Sequence, residues 1–160
     1  MHARARELID LLDLAPHPEG GHFRRVHVST HEVLDHARAR AALSAIHYLL
    51  AAGENSRWHR VDADECWHHA EGSALELLIF DPASAQLAVH RLGAVDATGT
   101  TPLHVVPAGH WQAARTLGDY SLVCCSVGPA FEFAGFALLD SAPEVAAALA
   151  RIDSGLLSFT

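Results

Sequence analysis

No apolar run in this chain is long enough to cross a bilayer, and no apolar signal-peptide core follows Met1-His2-Ala3-Arg4-Ala5-Arg6-Glu7. Cysteine is scarce, with Cys66, Cys124 and Cys125 only. Cys124 and Cys125 are adjacent, so on a strand they point to opposite faces and make poor disulfide partners for one another. Such thiols fit buried positions in a reducing compartment, and a cytoplasmic protein is expected. Positive charge is also in short supply: 11 basic residues against 19 acidic ones leave a net charge of −8. That balance argues against nucleic acid and against an anionic membrane surface as partners. The chain has no Gly-rich phosphate loop, no Gly-x-Ser-x-Gly elbow and no Cys-x-x-Cys zinc pair. Nothing marks Cys66 as an activated nucleophile.

What is present is a chain of 160 residues, half of them apolar, enough for one domain with a sizeable core. Residues 3–14 read as an amphipathic helix with Leu8, Leu11, Leu12 and Ala15 on one face, stopped by Pro16 and Pro18. Gly20-Gly21 permits a tight turn into a strand over 23–29. Residues 30–40 are polar and read as a surface loop. The apolar run 42–50 reads as a strand covered on both faces. Further strands are predicted over 57–61, 65–70, 74–80, 86–92, 103–106, 111–115, 121–127 and 135–139. Ser141-Ala142-Pro143-Glu144 fits a capping box opening a helix over 142–152. About ten short strands with helices only at the ends argue for an all-β sandwich or barrel in a single domain, residues 1–160, with its core over about 17–140.

Chemistry concentrates in Trp58-His59-Arg60-Val61-Asp62-Ala63-Asp64-Glu65-Cys66-Trp67-His68-His69-Ala70-Glu71-Gly72. Residues 62–64 read as a polar turn of a hairpin, pairing Val61 with Glu65 and His59 with Trp67. His59, Val61, Glu65, Trp67 and His69 then share one face, and His59 and Glu65 become diagonal neighbours. A turn one residue shorter moves Glu65 to the other face. A carboxylate on the inner face needs a partner or a proton, because stripping it of water is costly. His68 and His69 point opposite ways, and a bulge decides which of them joins His59.

The run from His59 to Gly72 resembles the first cupin motif, with His59, Glu65 and Gly72 in place and Val61 where a second His stands. Pro107-Ala108-Gly109-His110-Trp111-Gln112 resembles the second motif, with Gln112 at the position of its His. Pro16-His17-Pro18-Glu19-Gly20-Gly21 with Phe23 and Arg24, then Tyr48-Leu49-Leu50, narrow the likeness to the small single-domain cupins carrying an HPEGG segment. The resemblance covers roughly residues 5–140 and implies a cupin jelly roll and a homodimer. It also implies a metal set reduced to His59, Glu65 and Gln112, so that no cofactor is expected beyond a weakly held divalent metal.

His59 and Glu65 are accordingly the expected catalytic pair, and a small molecule is the expected partner. Gln112 can orient a substrate through its amide. Arg24, Tyr48, Trp67, His68 and Glu76 complete the candidate ligand-binding set, with Arg24 offering a guanidinium fork. The Phe131, Phe133 and Phe136 cluster reads as core, and the histidines of the first quarter, His17 among them, as exposed. Three readings stay open. The first is an isomerase or epimerase acting next to a carbonyl on a polar, sugar-like metabolite, by analogy with metal-free sugar epimerases of this barrel. The second is a ligand-binding module without catalysis, and the third a metal-dependent enzyme.

Overall fold

Short strands with one apolar face each must bury that face against another sheet, and the chain does so in two facing antiparallel layers. The computed structural model describes residues 1–160. Helix α1 (Ala3–Leu12) precedes β1 (Ala15–Pro16), β2 (His22–Val28), β3 (Glu32–Asp35), β4 (Arg38–Ala41), β5 (Ser44–Ala51), β6 (Asn55–Arg60) and β7 (Asp64–Gly72). Then come β8 (Leu75–Asp81), β9 (Gln86–Leu92), β10 (Leu103–Val106), β11 (Trp111–Thr116), β12 (Tyr120–Gly128) and β13 (Ala137–Leu138). Helix α2 (Pro143–Ile152) and a 3-10 segment, Ser154–Phe159, close the chain. One sheet runs β1-β2-β5-β12-β7-β10 and the other β13-β6-β11-β8-β9, with β3-β4 as a separate hairpin. This is the jelly roll that the cupin resemblance implies, and one of the two all-β arrangements that the strand pattern allows. Where the two sheets end in β9 and β10, the rings of His90 and His104 stack with centroids 3.6 Å apart.

Three apolar clusters hold the layers. Tyr48, Leu50, Trp67, Leu77, Ile79 and Val123 fill the space between the sheets. Trp58, Phe80, Trp111, Leu149 and Phe159 fasten α2 and the C-terminal segment over the outer face of the five-stranded sheet. Ala5, Leu8, Leu49 and Leu122 seat α1 on the outer face of the other sheet. Each large side chain so buried contributes about 2 kcal/mol on removal from water. Strand β5 is covered on both faces, as its apolar run predicts.

The expected hairpin across residues 57–70 is not formed. Strand β6 pairs with β11 and β13, whereas β7 pairs with β10 and β12. The reason lies in the connection: Val61 and Ala63 are buried, so residues 61–63 cross from one sheet to the other rather than turning in solvent. Gly109 donates its N–H to the Val61 carbonyl at 2.9 Å and pins the crossing. Both strands still turn their inner faces into the barrel, and the two candidate residues meet across the container instead of along a ladder.

Residues 30–40 form the β3-β4 hairpin rather than a loop, and Arg40 is its anchor. Its guanidinium is buried and donates to the Ala130 carbonyl at 2.6 Å, to Asp35 at 2.9 Å and to Asp62 at 2.8 Å. One side chain thus joins the hairpin, the crossing and the segment after β12. The strand expected over 135–139 shrinks to β13 (Ala137–Leu138), set between two 3-10 turns, Phe133–Gly135 and Leu139–Ser141. Ser141 does not cap α2, because its hydroxyl donates to the Leu138 carbonyl and Ala142 occupies the cap.

Arg40→Ala leaves a buried carbonyl and two carboxylates without their donor. It is expected to cost about 2 kcal/mol in urea unfolding, the exposure of Asp62 tempering the loss. Amide exchange in residues 32–41 should accelerate. An unchanged unfolding midpoint would refute the anchoring role.

Candidate functional site

Alternation along each inner strand chooses what faces the barrel mouth. On β2 the inward residues are Phe23 and Arg25; on β5, Ser44 and Ile46; on β12, Cys125 and Val127; on β7, Glu65. With His17, Glu19, His59, Val61, Phe131, Phe133 and Phe136 they line a narrow pocket that opens to solvent at its rim. Apolar side chains form most of the wall, and the ionisable groups gather in one place.

The segment His17–Gly21 reaches that place because of its glycines. Gly20 has φ +110° and Gly21 φ +65°, and a Cβ at Gly20 would collide with the Asn55 carbonyl oxygen. Only glycine combines the left-handed backbone with so close an approach to β6. The Tyr48 hydroxyl donates to the Gly20 carbonyl at 2.8 Å, and Arg57 donates its N–H to the Glu19 carbonyl at 2.8 Å. Glu19 is thereby pressed into the barrel, 6% exposed, with its Oε1 accepting from Ser56 Oγ at 3.0 Å.

Glu19 Oε2 lies 3.3 Å from His59 Nε2 and 3.5 Å from His17 Nδ1. His59 Nδ1 stands 2.8 Å from the Arg57 carbonyl, which can only accept, so Nδ1 carries the proton. The neutral ring therefore presents an unprotonated Nε2 to Glu19. On the other side of the pocket, Glu65 Oε2 accepts from Gln112 Nε2 at 2.6 Å, and Gln112 Oε1 accepts from Trp67 Nε1 at 2.9 Å. An indole N–H only donates, so Trp67 fixes which end of the amide faces Glu65.

Burial governs the titration of all four groups. It pushes the Glu19 and Glu65 carboxyls above the ordinary carboxylate range, and the two carboxyls, close to each other, add to the rise at Glu65. It pulls His59 and His17 below the usual imidazole value, against the opposing pull of the neighbouring carboxyls. The Cys125 thiol is pushed well up by the same burial and by the carboxyls beside it, which makes it a poor nucleophile. Burial thus shifts each of these groups toward its neutral form.

Of the expected residues, His59 and Glu65 line the pocket. Trp67 and Gln112 lie behind Glu65 and set its direction. Tyr48 lies below, holding the glycine turn. Arg24 is on the outer face, paired with Asp13, because the inward phase of β2 belongs to Arg25. Glu76 is on the outer face of its sheet, bonded to Arg115 at 2.6 Å. His68 alternates outward, whereas His69 shares the inner phase but meets the Ser73 carbonyl at 3.1 Å, and neither lines the pocket. The phenylalanines expected in the core form the pocket rim, with Phe133 61% exposed and Phe136 5.7 Å from the His59 ring.

Gln112 is not disposed as a metal ligand, since its carbonyl oxygen is taken by Trp67 and its amide nitrogen faces Glu65. Val61 offers no donor, and nowhere do three His, Cys, Asp or Glu side chains converge on a point that could hold an ion. The residues present do not fit the metal that the sequence resemblance implies. The sequence reading missed His17, Glu19 and Arg25. The signal for the first two was the Gly20-Gly21 pair, which demands a close approach to something packed against it.

A family model described as "Cupin superfamily (DUF985)" matches residues 6–139. Among solved structures, a hypothetical protein from Leishmania major is similar with a TM-score of 0.80 at 27% identity, over 92% of this chain and 97% of that one. A protein from Shewanella oneidensis is similar with a TM-score of 0.77 at 36% identity, over 84% of this chain and 83% of that one. A mutant oxalate decarboxylase from Bacillus subtilis shares the fold alone, with a TM-score of 0.57 and 16% identity over 80% of this chain and 31% of that one. No match is found among curated proteins.

The raised Glu65 carboxyl has a consequence for stability. A group whose value rises on folding favours the folded state below its unfolded value, and that advantage is lost as pH rises through the folded value. Glu65→Gln keeps the shape of the protonated form without the titration. Its melting temperature relative to the unsubstituted protein is expected to climb as pH rises above the ordinary carboxylate range. Thermal melts over that rise in pH check this, and a difference independent of pH would refute it.

Proposed function

The chain belongs to the cupin superfamily, in the family described as DUF985, and we propose that its pocket is an acid–base site that moves a proton on a bound small molecule, as isomerases and epimerases do. The observation that carries this reading is the tautomer of His59. With Nδ1–H committed to the Arg57 carbonyl, Nε2 is a lone pair inside the pocket, 3.3 Å from Glu19. Glu19 stands beside that lone pair, so the titrations of Glu19 and His59 are coupled. Glu65, aimed by Gln112 and shifted by burial toward its protonated form, supplies the acid.

In this mechanism His59 Nε2 removes a proton from a carbon next to a carbonyl, and the Glu19 carboxylate steadies the imidazolium that forms. The Glu65 carboxyl gives its proton to the carbonyl oxygen, leaving a neutral enol. Return of the protons to the same or the neighbouring carbon completes an exchange or an isomerisation, with no net gain or loss. No step is routed through a metal. The apolar wall keeps water from levelling these groups, which is where buried acid–base pairs gain strength. The sequence suggested a polar, sugar-like substrate. Phe23, Ile46, Val61, Val127 and the three rim phenylalanines favour one with an apolar side. The same wall supports the second reading, a binding module without turnover.

Deuterium washout separates the two. In deuterated water, simple hydroxyketones and 2-oxo acids are expected to lose their exchangeable C–H signal in the proton NMR spectrum when the protein is added. His59→Gln should slow that loss by about a hundredfold or more, the usual share of a general base. Binding of a panel member with no washout, or washout indifferent to His59, would leave only the binding module.

A further inference from the structure

We propose that the ligand of this pocket is a monoanionic carboxylic acid with an apolar body, and that Arg25 holds its carboxylate. The inference deepens the acid–base reading by naming the class of molecule on which it acts. Arg25 lies on the inward phase of β2 and lines the pocket rim beside Phe23 and Ile46. Its side chain makes neither a hydrogen bond nor an ion pair. Its neighbours in the fold are all occupied: Arg24 holds Asp13, Arg38 holds Glu132, Arg40 holds Asp35 and Asp62, and Arg57 donates to the Pro18 carbonyl. Arg25 is exposed at the pocket rim beside apolar Phe23 and Ile46, its guanidinium has no partner within the chain, and a carboxylate matches that fork through two parallel hydrogen bonds.

Charge limits the ligand to one negative unit. The chain contains no lysine, and Arg25 is the only arginine in the pocket. At the other end Glu19 and Glu65 are buried, and a second charge there would lack both water and a cation. A phosphate ester would bring about two charges to a single cation. Size follows from the register. Arg25 pairs with Ile46, Ile46 with Cys125, and Glu65 lies on the next strand, so three strand spacings of about 4.8 Å separate the two backbones. Side chains reaching inward from both ends leave room for a metabolite rather than a polymer. A carboxylate on Arg25 lays the carbon body along Phe23, Phe131 and Phe136 and brings its far end to His59 and Glu65.

Equilibrium binding tests the class independently of turnover. Calorimetric titrations use hexanoate and benzoate, each against its uncharged amide. The unsubstituted protein is expected to bind the acids about tenfold or more tightly than the amides, the worth of a charge-assisted pair. Arg25→Gln should erase that preference while leaving amide affinity in place, and Arg25→Lys should retain part of it. Because Arg25 bonds nothing, both variants should keep the parent unfolding midpoint, which separates lost recognition from lost folding. Equal affinity for acid and amide, absence of binding by either at millimolar concentration, or a preference that survives Arg25→Gln would overturn the proposal. A preference for acids without deuterium washout would uphold it and refute only the proton-transfer reading.

Discussion

Two carboxyls and two imidazoles are taken out of water at one end of the barrel, with no buried cation among them to neutralise the charge. Isolated charges in that setting are costly, so burial raises the carboxyls of Glu19 and Glu65 and lowers the imidazoles of His17 and His59, each toward its neutral form. The remaining polar atoms are matched by fixed partners: Ser56 to Glu19, Gln112 to Glu65, the Arg57 carbonyl to His59. The result is a set of groups whose titration is shifted by burial and by fixed hydrogen-bond partners.

The scaffold bears on that cluster from three directions. Gly20 and Gly21 let the segment after α1 press on β6 and deliver Glu19. Trp67 and Gln112 form a two-step relay from the barrel core to Glu65. Arg40 ties the β3-β4 hairpin to Asp62 and to the Ala130 carbonyl, and so to the two segments that carry Val61 and Phe131 into the pocket wall. Glu76 with Arg115, by contrast, is an ion pair on the outer sheet face and touches none of this.

Strand positions were legible in the sequence because alternation and turn residues are local, and the predicted segments over 86–92 and 103–106 match β9 and β10. Pairing was not legible. Val61-Asp62-Ala63 has the composition of a turn, and only the burial of Val61 and Ala63 by distant residues makes it a crossing. Phase by itself was also insufficient: Arg24 and Arg25 differ by one position, and which of them faces inward depends on how β2 registers with β5. His59 and Glu65 could be singled out by spacing. Glu19 could not, because its approach to His59 spans 40 residues and depends on a glycine turn meeting a strand from the other sheet. The phenylalanines were misplaced for a related reason, since an apolar cluster after the last long strand packs equally well as core or as the lip of a cavity.

The two departures from the family motif bear on the same question. A valine at position 61 removes a donor, and the glutamine at 112 is turned by Trp67 so that its N–H, not its oxygen, faces the pocket side. An imidazole at 112 could accept from that indole, but only by giving up the lone pair that a metal needs. The Trp67–Gln112 bond and the Gln112–Glu65 bond are thus one commitment: with the indole in place, the residue at 112 presents a donor to Glu65, and Glu65 is served as an acid or acceptor in proton chemistry. Glu19 then takes up the other half of the arrangement, sitting where it can share the proton of His59. The site is built around proton positions, and the buried polar atoms that frame it find their partners within the chain.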